Sequence, residues 1–225
     1  MASAPIILVP GFWLGAQGGD DVTAVTLPGL EPAGADRSAV SLSDHVGAIC
    51  EAVTAAGAPA VLAVHSGAGV PGYAASDRVP DQLAAMVYVD SGPATAALDP
   101  GFGAAEMPLP SWQELEQDGT SLDGLSGEQL ETFRRRAVPE PGAALREGPE
   151  LANDRRLDVP STVICSSFTS EQIKEFVRAG YAWIAGLAEL RDVTYVDLPT
   201  SHWPMWSRPQ ELAAIIGDVA RHASR

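Results

Sequence analysis

The stretch that decides the fold is Val61-Leu-Ala-Val-His-Ser-Gly-Ala-Gly-Val70, where an apolar run ends at His65-Ser66-Gly67 and small residues follow. The apolar run predicts a buried strand, and the small residues predict a helix packed closely against it. A serine on such a turn projects its hydroxyl above the sheet, where the first N–H groups of the helix can bind a developing oxyanion. Because Val64 and Ala68 replace the outer glycines of G-x-S-x-G, an ordinary glycine-rich turn stays open as the alternative.

The rest of the chain alternates strand and helix patterns around this stretch. Short apolar or β-branched runs predict further strands at 5–10, 22–27, 85–89, 161–165 and 193–198. Apolar residues at helical spacing predict helices, of which the longest are 41–56, 170–190 and 209–221. The glycines of segment 13–21 argue against a substantial helix there. The alternation predicts an α/β fold whose central sheet is mostly parallel, with helices on both faces and a site at the carboxyl ends of the strands.

Residues 94–158 differ in composition from the remainder of the chain. They hold prolines at 100, 108, 110, 139, 141 and 149 together with many carboxylates. We interpret this segment as a small cap inserted into one domain that spans residues 1–225.

Composition limits the partners and the location of the protein. The 225 residues are 46% hydrophobic and 19% charged, which is typical of a soluble globular protein, and no apolar run reaches the roughly 18 residues that span a membrane. The formal charge of −15 argues against nucleic acid and membrane surfaces, because both attract clustered Lys and Arg. The first residues lack a basic leader, so we expect a cytoplasmic protein in which Cys50 and Cys165 are free thiols. The cysteine spacing suggests no metal site.

Residues useful for catalysis follow the predicted strands. Phe12, Ser66, Asp90, Thr169 and His202 each follow a predicted strand, so a parallel sheet would bring them to one edge. A serine hydroxyl needs a histidine to take its proton during attack. The chain has four histidines, at 45, 65, 202 and 222, and His202 is the one that follows the last strand. We read His65 as a packed structural imidazole.

The order of three motifs resembles the α/β-hydrolase superfamily over nearly the whole chain. They are Pro10-Gly-Phe-Trp13, the stretch around Ser66, and Ser201-His-Trp-Pro-Met-Trp-Ser-Arg-Pro209. The closest similarity is to small, cofactor-free esterases and to the related methylesterase and hydroxynitrile lyase branch. The resemblance implies that Ser66 is the nucleophile, that His202 is the general base and that no metal or cofactor takes part. It also implies that the backbone N–H groups of Phe12 and Gly67 form the oxyanion hole.

The acid that orients His202 has two candidates. Hydrolases of this fold usually carry it after the strand that here is 161–165, where Ser166-Ser-Phe-Thr-Ser-Glu171 offers no aspartate. Asp90 ends the strand after Ser66, a position that some family members such as certain haloalkane dehalogenases use. We favour Asp90 and keep Glu171 as the alternative, since a carboxylate at a strand end can fix the imidazole tautomer.

Tryptophans on loops and in the cap predict an apolar pocket for the substrate. Trp13, Trp112 and Trp203 are the candidate substrate-binding residues. The helix missing after Trp13 leaves either an open cleft or a gap that the cap or a second subunit fills, and the second subunit implies a homodimer.

The leading functional hypothesis is a serine hydrolase that cleaves a small or medium carboxylic ester or lactone through an acyl-enzyme. Carbon–carbon bond hydrolysis or lyase chemistry on the same fold is one alternative. Cyanohydrin cleavage is disfavoured, because the related lyases place a lysine beside the histidine, whereas here Trp203 follows His202 and the single lysine is Lys174. A non-catalytic binding protein of this fold is the other alternative.

Overall fold

The strand-forming runs build one parallel sheet in the computed structural model, which describes residues 3–14, 22–31 and 36–223. The strands are β1 (Ile6–Val9), β2 (Val22–Ala24), β3 (Ala60–His65), β4 (Leu83–Val89), β5 (Glu106–Met107), β6 (Glu140–Pro141), β7 (Ser161–Cys165) and β8 (Val193–Asp197). Within these ranges the main sheet has the order β2-β1-β3-β4-β7-β8, and every neighbouring pair is parallel. Every residue of β3 is buried, as expected of a central strand covered on both faces.

The helices are α1 (Leu42–Ala55), α2 (Gly69–Arg78), α3 (Trp112–Gln117), α4 (Gly127–Arg136), α5 (Ala143–Arg146), α6 (Ser170–Arg178), α7 (Pro204–Ser207) and α8 (Pro209–His222). Four of them, α1, α3, α4 and α6, begin with a capping box. In each, the side chain of the N-cap serine or threonine accepts from the backbone N–H of the N3 residue, and the N3 side chain accepts from the N-cap backbone N–H. These local signals explain why the helices start where they do.

Two apolar cores cover the two faces of the sheet. Alternate side chains of β3 point to opposite faces, so Leu62 and Val64 join one core, and Val61 and Ala63 join the other. The first core receives the buried stripe of α1, and the second receives that of α8. The prediction of an α/β sheet with helices on both faces is therefore confirmed.

Two of the sequence predictions differ from the structure by more than two residues at one end. The helix predicted over 170–190 is interrupted at Gly180, whose φ of +77° turns the chain into the 3₁₀ helix Ala182–Ala188. The strand predicted over 22–27 pairs only as far as Ala24. The expectation that no helix fills segment 13–21 concerns residues 15–21, which lie outside the described residues.

The chain between β4 and β7 carries helices α3 to α5 and a short antiparallel ribbon, formed by β5 and β6. We refer to the paired strands β5 and β6 as the ribbon. An aromatic cluster packs beneath this segment and joins it to the loop after β1 and to the chain around α7. No helix in the described part of the chain is long and apolar enough to cross a membrane.

Candidate active site

The turn after β3 brings Ser66 into a left-handed backbone conformation with φ of +51°. Two glycines make room for this turn. A Cβ atom on Gly11 would lie 2.6 Å from His65 Nδ1 and 2.8 Å from Ser66 Cβ, and one on Gly67 would lie 2.2 Å from the Phe12 ring. The loop after β1 can therefore lie directly against the serine turn only because glycine stands at both positions.

A hydrogen-bond relay joins three strand ends across the sheet. Ser66 Oγ lies 2.7 Å from His202 Nε2, and His202 Nδ1 lies 2.6 Å from Asp90 Oδ2. An ionised carboxylate only accepts hydrogen bonds, so we assign the imidazole proton to Nδ1, which leaves Nε2 to accept from the serine hydroxyl. The three residues follow β3, β4 and β8, which places the relay at the carboxyl edge of the parallel sheet.

The carboxylate of Asp90 is buried and held by the loop after β7. Its Oδ1 accepts from the N–H groups of Ser166 (3.1 Å) and Ser167 (2.8 Å), and its Oδ2 accepts from the Ser167 hydroxyl (2.6 Å). Burial alone would raise the pKa of Asp90, but the hydrogen bonds from His202 and Ser167 and the proximity of His202 together lower it to about 2. Asp90 is thus ionised at neutral pH. The alternative acid Glu171 is exposed on α6 and pairs with Lys174.

Phe12 and Gly67 line the same cavity as Ser66, and each carries a backbone N–H group. The N–H groups of Phe12 and Gly67 have no hydrogen-bond acceptor among the described residues. Gly67 lies in the first turn of a helical segment, where such N–H groups lack an intrahelical partner. Both N–H groups are therefore unpaired within the part of the chain that the structure describes.

A family comparison agrees with this architecture. A model of the alpha/beta hydrolase family matches residues 6–215. The chain belongs to the alpha/beta hydrolase family. A comparison with curated protein sequences gives no match.

Several solved structures resemble this alpha/beta hydrolase along its whole length. An extracellular alpha/beta-hydrolase from a Paenibacillus species, described as structurally and functionally homologous to tobacco salicylic acid binding protein 2, is 17% identical, with 97% of this chain and 99% of that chain covered at a TM-score of 0.72. Tomato methylketone synthase I with bound β-ketoheptanoate is 16% identical, with 99% and 100% covered at 0.69. Polyneuridine aldehyde esterase is 18% identical, with 97% and 99% covered at 0.65. At these identities the likeness shows the fold.

The cleft above the relay of this alpha/beta hydrolase has a volume of about 260 Å³. Among the described residues, the apolar part of its wall comes mainly from Phe12, Val70, Leu98, Phe168 and Trp183. Asp118 and Thr120 also line it, and among the described lining residues there is no lysine or arginine. The cleft therefore suits a small ligand with an apolar group.

The three tryptophans expected to bind substrate lie elsewhere. Trp13, Trp112 and Trp203 belong to the aromatic cluster between the loop after β1, the segment between β4 and β7 and the chain around α7, in which Trp203 packs edge-on against Phe133 with ring centroids 5.0 Å apart. None of the three is among the described residues that line the cleft. Aromatic side chains on neighbouring loops have packed against each other, because that buries more apolar area than contact with an open cleft.

Trp13 instead ties the loop after β1 to the ribbon. Its backbone is left-handed with φ of +66°, its carbonyl accepts from Val138 N–H at 3.1 Å, and its indole N–H donates to the Met107 carbonyl at 3.1 Å. Its own N–H points to Glu140 Oε2 at 3.4 Å. Burial raises the pKa of Glu140 to about 8, although the Trp13 N–H and the charge of Arg37 act in the opposite direction. The ribbon thus helps to fix the conformation of the loop that carries Phe12.

Sequence reasoning did not find the residues that support the relay. Ser166 and Ser167 follow β7, the position at which hydrolases of this fold usually carry the acid. Two serines in place of an acid were the signal that could have identified them as hydrogen-bond donors to Asp90. Phe168 reaches the cleft from the loop after β7, and Trp183 reaches it from the 3₁₀ helix that follows the turn at Gly180. The role of Glu140 had no signal in the sequence, since its partner Trp13 lies 127 residues away.

Proposed function

We propose that this alpha/beta hydrolase is a carboxylic ester hydrolase that uses Ser66, His202 and Asp90 as a catalytic triad. The observation that carries the proposal is the unbroken chain of hydrogen bonds from Ser66 Oγ through His202 to a buried, ionised Asp90. A serine activated in this way, with two free backbone N–H groups beside it, has the parts that acyl transfer requires.

In the proposed mechanism Ser66 Oγ attacks the ester carbonyl while His202 Nε2 takes its proton. The N–H groups of Phe12 and Gly67 stabilise the oxyanion, and Asp90 stabilises the imidazolium that forms. His202 then returns the proton to the leaving alcohol, which leaves an acyl group on Ser66. A water molecule, deprotonated by His202, releases the acid and restores the serine.

The size and polarity of the cleft support a small or medium neutral ester or lactone. A volume of about 260 Å³ lies near the lower end of small-molecule sites. One structural neighbour is named as an esterase, which favours the same reaction class here. Methylketone synthase shows by its name that the fold also hosts other chemistry, so carbon–carbon cleavage stays the second candidate. Lys174 pairs with Glu171 on α6, which argues against a cyanohydrin lyase.

We also propose a cytoplasmic location, which the free thiols of Cys50 and Cys165 support. We further propose that segment 94–158 acts as a cap and that the protein forms a homodimer. Gel filtration with light scattering tests the dimer.

The deciding experiment compares the wild type with Ser66→Ala. We expect the variant to lose p-nitrophenyl ester turnover and fluorophosphonate labelling while it keeps the fold, because the Ser66 hydroxyl is the one that bonds the imidazole of His202 among the described serines of the cleft. Ser170→Ala is a matched control, since the Ser170 hydroxyl bonds Asp197 at the start of α6, away from the cleft. Labelling that persists in Ser66→Ala contradicts the assignment. A wild type that neither labels nor turns over any ester supports the binding-protein alternative.

A further inference from the structure

The imidazole next to the candidate nucleophile contacts two other loops of the site. His65 is only 3% exposed, and its backbone leads directly into Ser66. Its Nε2 lies 2.6 Å from the carbonyl oxygen of His202, and its Nδ1 faces Gly11 in the loop that carries Phe12. The buried ring of His65 thus contacts the loop that carries His202 and the loop that carries Phe12. The strand that ends at His65 leads directly into Ser66.

The contacts determine the tautomer and the charge of His65. A carbonyl oxygen only accepts, so Nε2 carries the proton and donates it to His202. The other nitrogen, Nδ1, is buried and has no hydrogen-bond partner in the described part of the chain. Burial, reinforced by the neighbouring His202, lowers the pKa of His65 to about 3. The ring therefore stays neutral at working pH.

Neutrality matters because the two imidazoles are close. The ring centroids of His65 and His202 are 4.9 Å apart. A charged His65 would oppose the positive charge that His202 acquires during attack. A neutral donor holds the His202 backbone without this electrostatic penalty.

His202 lies in a loop, and hydrogen bonds on both sides of its Cα hold its backbone. Its N–H donates to the Ser121 carbonyl at 2.8 Å, and its carbonyl accepts from His65. Loss of the second bond would free one side of the residue and leave a part-buried carbonyl without its partner. The imidazole could then move away from Ser66.

We propose that His65 is a positioning residue, whose Nε2–H holds the His202 backbone so that the His202 ring stays within hydrogen-bond reach of Ser66. This inference rests on the proposed function, because it assigns His65 to the same triad. It differs from a packing role in one respect: the donor at the Nε2 position matters, and the shape of the ring does not.

Three substitutions at His65 distinguish loss of the Nε2–H hydrogen-bond donor from loss of the aromatic ring. His65→Phe keeps a ring and removes the donor. His65→Asn places its amide near the former Nδ1, too short to reach the His202 carbonyl, whereas His65→Gln places an amide N–H near the former Nε2. His45→Phe is the matched control, because His45 is equally buried and its Nε2 bonds the Pro28 carbonyl at 2.9 Å.

The first readout is kcat per titrated active site, which is insensitive to a fraction of unfolded protein. We expect His65→Phe and His65→Asn to lower kcat about 10- to 100-fold with KM nearly unchanged, because a small displacement of the base slows attack without weakening binding. His65→Gln should restore kcat to within a few-fold of the wild type, and His45→Phe should leave kcat per site unchanged. If His65→Phe does not fold, the Asn and Gln variants decide the same question.

The second readout needs no substrate. The proton of His202 Nδ1, bonded to Asp90, gives a low-field proton NMR signal that is assigned by its loss in His202→Ala. We expect this signal to weaken or shift in His65→Phe and His65→Asn and to persist in His65→Gln. Wild-type kcat and an unchanged signal in His65→Phe overturn the inference, and so does a Gln variant as impaired as the Phe variant. If the wild type turns over no ester, the proposed function fails, and the NMR signal alone decides the role of His65.

Discussion

Backbone conformation at single residues marks the candidate site. Among the described residues, the non-glycine positions with positive φ are Trp13, Ser66 and Asp90; the last two belong to the relay, and Trp13 follows Phe12 in the loop next to it. A left-handed conformation costs a residue with a Cβ atom about 1 kcal/mol or more. The fold therefore accepts local backbone strain where it positions Ser66, Asp90 and the loop that carries Phe12.

This strain predicts an order of stability for two inactive variants. Ser66→Gly should be more stable than Ser66→Ala by about 1 kcal/mol, because glycine adopts φ of +51° without a steric penalty. Denaturant unfolding measures the difference. Ser43 in α1 serves as the control, since glycine there should be less stable than alanine, as in any helix. If Ser66→Ala has the same free energy of unfolding as Ser66→Gly, the backbone at position 66 is not strained.

The choice of acid is a second test at this scale. Asp90→Asn should reduce kcat/KM on the order of 10⁴-fold, the loss typical when the histidine is held in the wrong tautomer. The reason is geometric: the N–H groups of Ser166 and Ser167 would hold the asparagine oxygen and turn its NH₂ group towards His202. Nδ1 would then accept, and Nε2 would carry a proton. Glu171→Gln should leave ester turnover unchanged, and the opposite pattern would make Glu171 the acid.

Among the secondary-structure elements, the short ribbon has an influence that its length does not suggest. Each of its strands contains two residues, yet Met107 and Glu140 of the ribbon and the neighbouring Val138 hold Trp13 from three sides. Glu140 is 1% exposed, so a charge on it is costly. The ribbon therefore makes the stability of the loop that carries Phe12 and Trp13 depend on pH.

Glu140→Gln tests this dependence. The pKa of Glu140 is about 8 in the folded protein against 4.5 for an ordinary glutamate. The unfolded chain thus loses its proton first, and wild-type stability, complete below pH 4.5, falls as pH rises towards 8. The Gln variant should lack this loss and gain on the order of 4 kcal/mol over the wild type at pH 8, but little at pH 4.5. Unfolding titrations at both pH values measure it, with exposed Glu106→Gln as the control on the facing strand.

The whole molecule carries a strong negative charge. Its formal charge of −15 at pH 7 makes the folded state repel itself electrostatically. We expect sodium chloride to raise Tm at pH 7 by a few degrees, since about 1 kcal/mol corresponds to about 2–4 °C for a chain of this size. The increase should nearly vanish near the isoelectric point of about 4.5, where the charges balance. A salt effect of equal size at both pH values would rule out self-repulsion as its cause.

The sequence was most informative where short-range patterns govern structure. Apolar runs and capping residues predicted β3, α1 and α8, because burial and local hydrogen bonds act within a few residues. The rule that parallel strands end at one edge then brought together Ser66, Asp90 and His202 as candidates, and the structure joins them by hydrogen bonds.

Contacts between residues distant in the chain were decided only by the tertiary structure. The partners His65 and His202 are separated by 137 positions, and Trp13 and Glu140 by 127, so no periodicity or spacing could relate them. The tryptophans illustrate the same limit, because loop position predicted substrate contact while mutual packing placed them in a separate cluster. The sequence by itself determined the strand order along the chain and the residue types at the strand ends. Which side chains meet across those ends depended on packing, since long-range contacts form only when the sheet and its helices are assembled.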